Sequence, residues 1–124
     1  MNKKRPINLA LTTFKFPPMA IASILHRISG VILFFFIPIL LYMLDKSLQS
    51  PTHFDTLKEC LTSSFVKFVL WLMLTGLIYH LIAGIRHMIM DMGFGESLNV
   101  GRKSAYSIMI ITAVMSVIIG IWLW

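Results

Sequence analysis

Three long apolar runs separated by polar stretches organise this chain. The first covers residues 28–44 and includes Phe34-Phe35-Phe36; with residues 20–27 added upstream it predicts a helix over 20–44. That length crosses roughly 30 Å of hydrocarbon. Pro17 and Pro18 set its start, and Pro38 lies inside it, where a missing backbone donor should kink the helix. The second run predicts a span over 65–92. Gly93, Gly95, Asn99 and Gly101 mark a break, and the third run predicts a span over 105–124. Residues 45–64 are polar, with Ser50-Pro51-Thr52 and mixed charges, and predict a loop that holds at most one short interfacial helix. The expected fold is all-α: a single integral-membrane domain, 1–124, with three transmembrane helices.

Composition agrees. Of 124 residues, 57% are hydrophobic and 13% charged, and the mean hydropathy is +0.82, which leaves too little polar surface for a soluble domain. The net charge of +6 gathers at the ends of apolar runs and forms no continuous face, so nucleic-acid binding is not expected. Lys3, Lys4, Arg5, Lys15, Arg27, Arg86, Arg102 and Lys103 fall on one side of the predicted spans, and Lys46, Lys58 and Lys67 fall on the other. The positive-inside rule then predicts a cytoplasmic N-terminus, with Trp122 and Trp124 at the outer interface. The start Met1-Asn2-Lys3-Lys4-Arg5-Pro6 is not followed by a signal-peptide core or a transit-peptide composition, so a bacterial inner membrane is the expected location. The single cysteine, Cys60, excludes an intrachain disulfide or an iron–sulfur site built by this chain alone.

Polar residues inside the spans require explanation, because a charge at a helix centre disfavours insertion by about 2.5 to 3.5 kcal/mol. The first span carries Ser23-Ile24-Leu25-His26-Arg27-Ile28-Ser29-Gly30. Ser23 and Arg27, four apart, share a face, and the guanidinium fork suits a carboxylate or carbonyl oxygen. Snorkelling of Arg27 to the headgroups is the competing explanation. The second span carries His80 near its middle, with Gly76 and Gly84 one turn to either side, then Arg86, His87 and Asp91. A face stripped of side chains around an imidazole would let a planar macrocycle approach while His80 Nε2 reaches its iron. Helix packing through small residues explains the glycines equally well. His80 and His87 stand about 10 Å apart along the axis, too far to ligate one iron at about 2 Å each. His26 is expected to lie shallower than His80, level with His87, so a second axial ligand is expected from another subunit. His87 and Asp91, one turn apart, are placed to hydrogen-bond.

The two motifs, Ser23-Ile-Leu-His26-Arg27-Ile-Ser-Gly30 and His80-x-x-x-Gly84-Ile-Arg86-His87-x-x-x-Asp91, together with the opening Arg5-Pro6-Ile7-Asn8-Leu9, resemble the cytochrome b membrane-anchor subunit of bacterial succinate dehydrogenase along nearly the whole chain. The resemblance implies that His80 is the axial ligand of a haem b shared with a smaller second anchor subunit. It implies that Ser23 and Arg27 bind ubiquinone between the apolar walls Ile24 and Phe16, and that His26, Arg27 and His87 lie near the haem propionates. It implies a complex with a flavoprotein, which oxidises succinate, and an iron–sulfur subunit, which passes the electrons on to quinone in the respiratory chain and tricarboxylic acid cycle. This chain would be a non-dehydrogenase subunit of that complex. An anchor of a quinol:fumarate reductase shares the same scaffold. A small proton-relay or transport protein is the alternative of a different class, but its polar path stops at Thr75, Thr112 and Ser116.

Overall fold

The computed structural model describes residues 15–124, so the Arg5 to Leu9 opening lies outside the described residues. Four helices follow one another: α1 (Pro18–Gln49), α2 (Pro51–Cys60), α3 (Ser64–Asp91) and α4 (Leu98–Leu123). No strand occurs among the described residues. The helices α1, α3 and α4 are long and apolar enough to cross a membrane. The short interfacial helix expected within 45–64 is α2, which has no buried residue and packs against α1. Its start is fixed by Ser50, whose side chain accepts from the His53 amide at 3.2 Å, with Pro51 in the first turn.

The ends of the helices follow from local chemistry. Pro18 opens α1, where its missing donor costs nothing. Gly93, at φ +85, ends α3: its amide bonds the Met90 carbonyl at 2.9 Å and the Phe94 amide bonds the Ile89 carbonyl at 3.2 Å. This pair of bonds is a Schellman closure, which favours a residue without Cβ at the left-handed position. Two boundaries differ from expectation. Helix α1 continues to Gln49 and α4 begins at Leu98, several residues before the apolar run. A helix satisfies its own backbone bonds in water as well as in lipid, so polarity marks where the hydrocarbon ends and not where the helix does.

Helix α3 packs against both α1 and α4, and α1 also touches α4. The core where the three meet is made of Ala22, Tyr79, Ala83, Ala105 and Ile108, flanked by Met19, Ile82 and Met109. Alanines at the crossing let the backbones approach closely, as expected where lipid removes the hydrophobic drive and van der Waals packing holds helices together. Most large apolar side chains face outward, including Phe34, Phe35 and Ile121. Polar groups tie the helices across this apolar background. Tyr79 Oη donates to the Ala22 carbonyl at 2.8 Å, joining α3 to α1. Trp71 Nε1 donates to the Ser116 carbonyl at 2.8 Å and Thr75 Oγ1 meets Ser116 Oγ at 2.9 Å, joining α3 to α4.

Candidate functional site

His80 projects from the middle of α3 onto α1, where two oxygens meet its Nδ1. The ring nitrogen Nδ1 stands 3.0 Å from Ser29 Oγ and 3.2 Å from the His26 carbonyl oxygen. A carbonyl can only accept. Ser29 Oγ already gives its proton to the same His26 carbonyl at 2.8 Å, so toward His80 it too accepts. Both partners therefore place a proton on Nδ1; in a neutral imidazole that leaves the lone pair on Nε2. Nε2 makes no hydrogen bond among the described residues. The buried side-chain nitrogens and oxygens without partners are His26 Nε2 and Thr112 Oγ1, so His80 Nε2, absent from that pair, reaches the surface. A neutral imidazole anchored through Nδ1 and open at Nε2 is the form that ligates iron or another transition metal.

Two more imidazoles flank it. The His26 ring stacks on His80 with centroids 4.2 Å apart and planes 18° from parallel, and the His87 ring lies 5.1 Å from His26 at 39°. His26, His80 and His87 line one cavity of about 390 Å³ with Leu81, Gly84 and Met88. The expected level match of His26 and His87 is observed. The His26 ring sits between those of two α3 residues two turns apart. Ala22 and Ala83 are both almost fully buried in the core where the helices meet, and short side chains there let the backbones approach closely. His26 is still not placed as a second axial ligand, because stacked rings stand side by side instead of facing each other across a macrocycle. The three histidines form no group able to hold a free metal ion among the described residues.

The two shelf glycines line different cavities. Gly84 lines the cavity of the three histidines, where a Cβ would make ordinary contact with His26 Nε2 at 3.5 Å. Gly76 has open space around it and lines a different cavity, with Tyr79 and Thr112. Positions four before and four after a residue diverge to opposite sides of it by about 40° each, so two such glycines do not make one flat face. The glycine that does admit His80 is Gly30, where a Cβ would meet His80 Cε1 at 3.0 Å. Gly30 and Ser29 are thus site residues that the sequence motif contained without revealing their task. Their signal was available in hindsight: a small hydroxyl and a missing side chain, adjacent on the helix that faces an imidazole.

The second cluster is less convergent. Arg27 is exposed on α1 and lines a shallow cavity with Ile28, Val31 and Ile32, apart from the histidines. Ser23 is half-buried, Ile24 and Phe16 are exposed, and none of them lines the five cavities described. These residues lie along one helix and its entry and enclose no ligand by themselves. Among the described residues no hydrogen bond joins the side chains of His87 and Asp91, and Asp91 is exposed. Arg86, which carried no assigned role, is buried: its Nε donates to Ser104 Oγ at 2.9 Å and its Nη2 to the Gly101 carbonyl at 3.1 Å.

Comparison with known proteins places this arrangement in context. The family described as succinate dehydrogenase/fumarate reductase transmembrane subunit matches residues 1–119. The chain is 46% identical over 125 residues to the succinate dehydrogenase cytochrome b556 subunit of Coxiella burnetii, covering all of both chains. It is 31% identical over 118 residues to the protein of the same name from Paracoccus denitrificans, with 92% of this chain and 88% of the relative covered. It is 37% identical over 101 residues to the succinate dehydrogenase cytochrome b560 subunit of Reclinomonas americana, covering 76% and 69% respectively.

Proposed function

The chain belongs to the succinate dehydrogenase/fumarate reductase transmembrane subunit family, and from that premise we propose that it is the haem b- and ubiquinone-binding anchor of a bacterial succinate:quinone oxidoreductase. It is a multi-pass membrane protein with three spanning helices. The observation that carries the proposal is the anchoring of His80, whose Nδ1 meets Ser29 Oγ and the His26 carbonyl while its ring lines a cavity.

The residues present fit a haem. His80 would hold its iron through Nε2, and the smaller anchor subunit would contribute the other ligand, since the His26 ring stacks on His80 and the His87 ring packs on His26. His26, His87 and Arg27 offer the cationic or hydrogen-bonding neighbours that anionic propionates require. When bound, the haem supplies a one-electron redox centre beside the quinone. Succinate oxidation to fumarate in the flavoprotein releases two electrons and two protons; the iron–sulfur subunit passes on the electrons, and ubiquinone takes up two of each to become the quinol.

At the quinone the work of this chain is binding and orientation. Ser23 donates its hydroxyl proton to a quinone carbonyl, Arg27 holds the oxygen's developing negative charge, and Ile24 and Phe16 cover the ring. Because these residues do not enclose a cavity alone, the iron–sulfur and second anchor subunits complete the site, on the cytoplasmic side of the inner membrane. The defining test is an absorption scan of the detergent-purified assembly after reduction: b-type bands are expected, and their absence refutes the proposal.

Two variants probe the separate tasks. Arg27→Ala removes charge-assisted hydrogen bonds, so quinone reduction should fall about tenfold to a hundredfold. Succinate oxidation by an artificial soluble acceptor should persist, and parallel loss of both activities would indicate failed assembly instead. Ser29→Ala removes one of two acceptors that orient His80, and haem retention should fall about 10- to 100-fold in a titration with a competing haem scavenger.

A further inference from the structure

Arg86 is 8% exposed, yet none of its partners is anionic. Its Nε and Nη2 donate to a hydroxyl and a carbonyl on the first two turns of α4, both neutral. The five acidic residues of the chain are Asp45, Asp55, Glu59, Asp91 and Glu96; all are exposed and none bonds to Arg86. A guanidinium withdrawn from water without a counter-anion is unfavourable, and such groups recruit one.

The place for that anion is open. Arg86 Nη1 makes no hydrogen bond among the described residues and is not one of the buried orphans, so it reaches a surface. Arg86 lines a cavity of about 510 Å³ between α3 and α4, whose other walls include Ile82, Ile85, Ile89, Phe94 and Ile108. Arg86 lies five residues before the end of α3, about 7.5 Å along the axis, which is headgroup depth for a spanning helix. Arg102 and Lys103, exposed beside Gly101, add positive charge at the same end.

A single cation at the head of a largely apolar cleft, with Ser104 and Ser107 as its other polar walls, matches an amphiphile. A water-soluble anion would gain nothing from the isoleucine walls, and a lipid of zero net charge would leave the arginine uncompensated. We propose that the α3/α4 cleft binds one anionic phospholipid, its phosphate on Arg86 Nη1 and an acyl chain against Ile82, Ile85 and Ile108. The site does not rest on the haem and quinone assignments: Arg86 bonds to the α4 side of α3, whereas the histidines lie on the α1 side, and Ile85 is the one wall residue that the cleft shares with the histidine cavity.

The test uses the detergent-purified assembly, washed free of loose lipid and then supplied with phosphatidylglycerol, phosphatidylcholine or inorganic phosphate. Native mass spectrometry and the thermal unfolding midpoint are read in each case. Phosphatidylglycerol should be retained at one molecule per chain and raise the midpoint, whereas phosphatidylcholine and phosphate should do neither. Arg86→Gln should weaken retention about tenfold. Because that change also removes bonds to α4, Ser107→Trp is the second variant: Ser107 lines the cleft, and an indole there blocks the acyl chain while leaving Arg86 in place. Equal retention of the two lipids, equal protection by phosphate, unchanged retention in Ser107→Trp, or a partner-subunit carboxylate seated on Arg86 in a structure of the complex would each overturn the proposal.

Discussion

Replacing His80 with alanine is expected to strip the assembly of its b-type absorption bands. The substitution removes the only imidazole in the cavity whose lone pair is both defined and accessible: Nδ1 is committed to Ser29 and the His26 carbonyl, and Nε2 is free. His26 cannot move in to replace it, because its Nε2 is turned toward the backbone at Gly84. The loss should exceed the ~10- to 100-fold typical of removing a residue that merely orients a ligand. Free imidazole supplied to the variant should occupy the vacated space and restore part of the spectrum, which separates loss of a ligand from loss of the fold. An unaltered spectrum in His80→Ala would remove the ligand assignment.

Changing Gly30 to leucine should have nearly the same optical result with His80 still present. A Cβ at residue 30 already meets His80 Cε1 at 3.0 Å and Nδ1 at 3.6 Å, so the further atoms of leucine occupy the volume of the ring. The imidazole must swing away, breaking its bonds to Ser29 and the His26 carbonyl and releasing the constraint on its tautomer. Gly30→Ala is the graded control: a displacement of a few tenths of an ångström should leave a haem spectrum with a shifted midpoint potential. If the leucine variant keeps both the spectrum and the potential of the parent, the packing of α1 on His80 plays no part in cofactor binding.

The architecture was legible in the chain because bilayer thickness and hydropathy act on each helix separately. Three apolar runs therefore predict the spans α1, α3 and α4 without knowledge of their packing. The helix ends at Gln49 and Leu98 were not legible, since nothing in the polarity of those turns stops hydrogen bonding. Within the site, the level match of His26 with His87 follows from antiparallel neighbours. The stacking of His26 on His80 depends on the register at which α1 crosses α3, and neither motif carries that register by itself. For the same reason Gly30 and Ser29 went unassigned while Gly76 and Gly84 drew attention. Spacing along one helix is readable, but which residue of the facing helix arrives opposite is a property of the pair.

The bonds from Ser29 and the His26 carbonyl to His80 do more than orient a ring. They are interhelical, and together with the Tyr79 to Ala22 bond they are the polar ties between α1 and α3 among the described residues. A cofactor held by His80 in this arrangement therefore binds only the docked pair of helices, and by mass action it shifts the balance between docked and separated α1. At a free haem concentration 100 times the dissociation constant that shift amounts to about 2.7 kcal/mol. On the haem assignment proposed above, supply of the pigment would set how much of the chain survives quality control: in cells starved of haem, the apo-subunit should be cleared by membrane proteases sooner than in haem-replete cells, as a pulse-chase of the chain would measure.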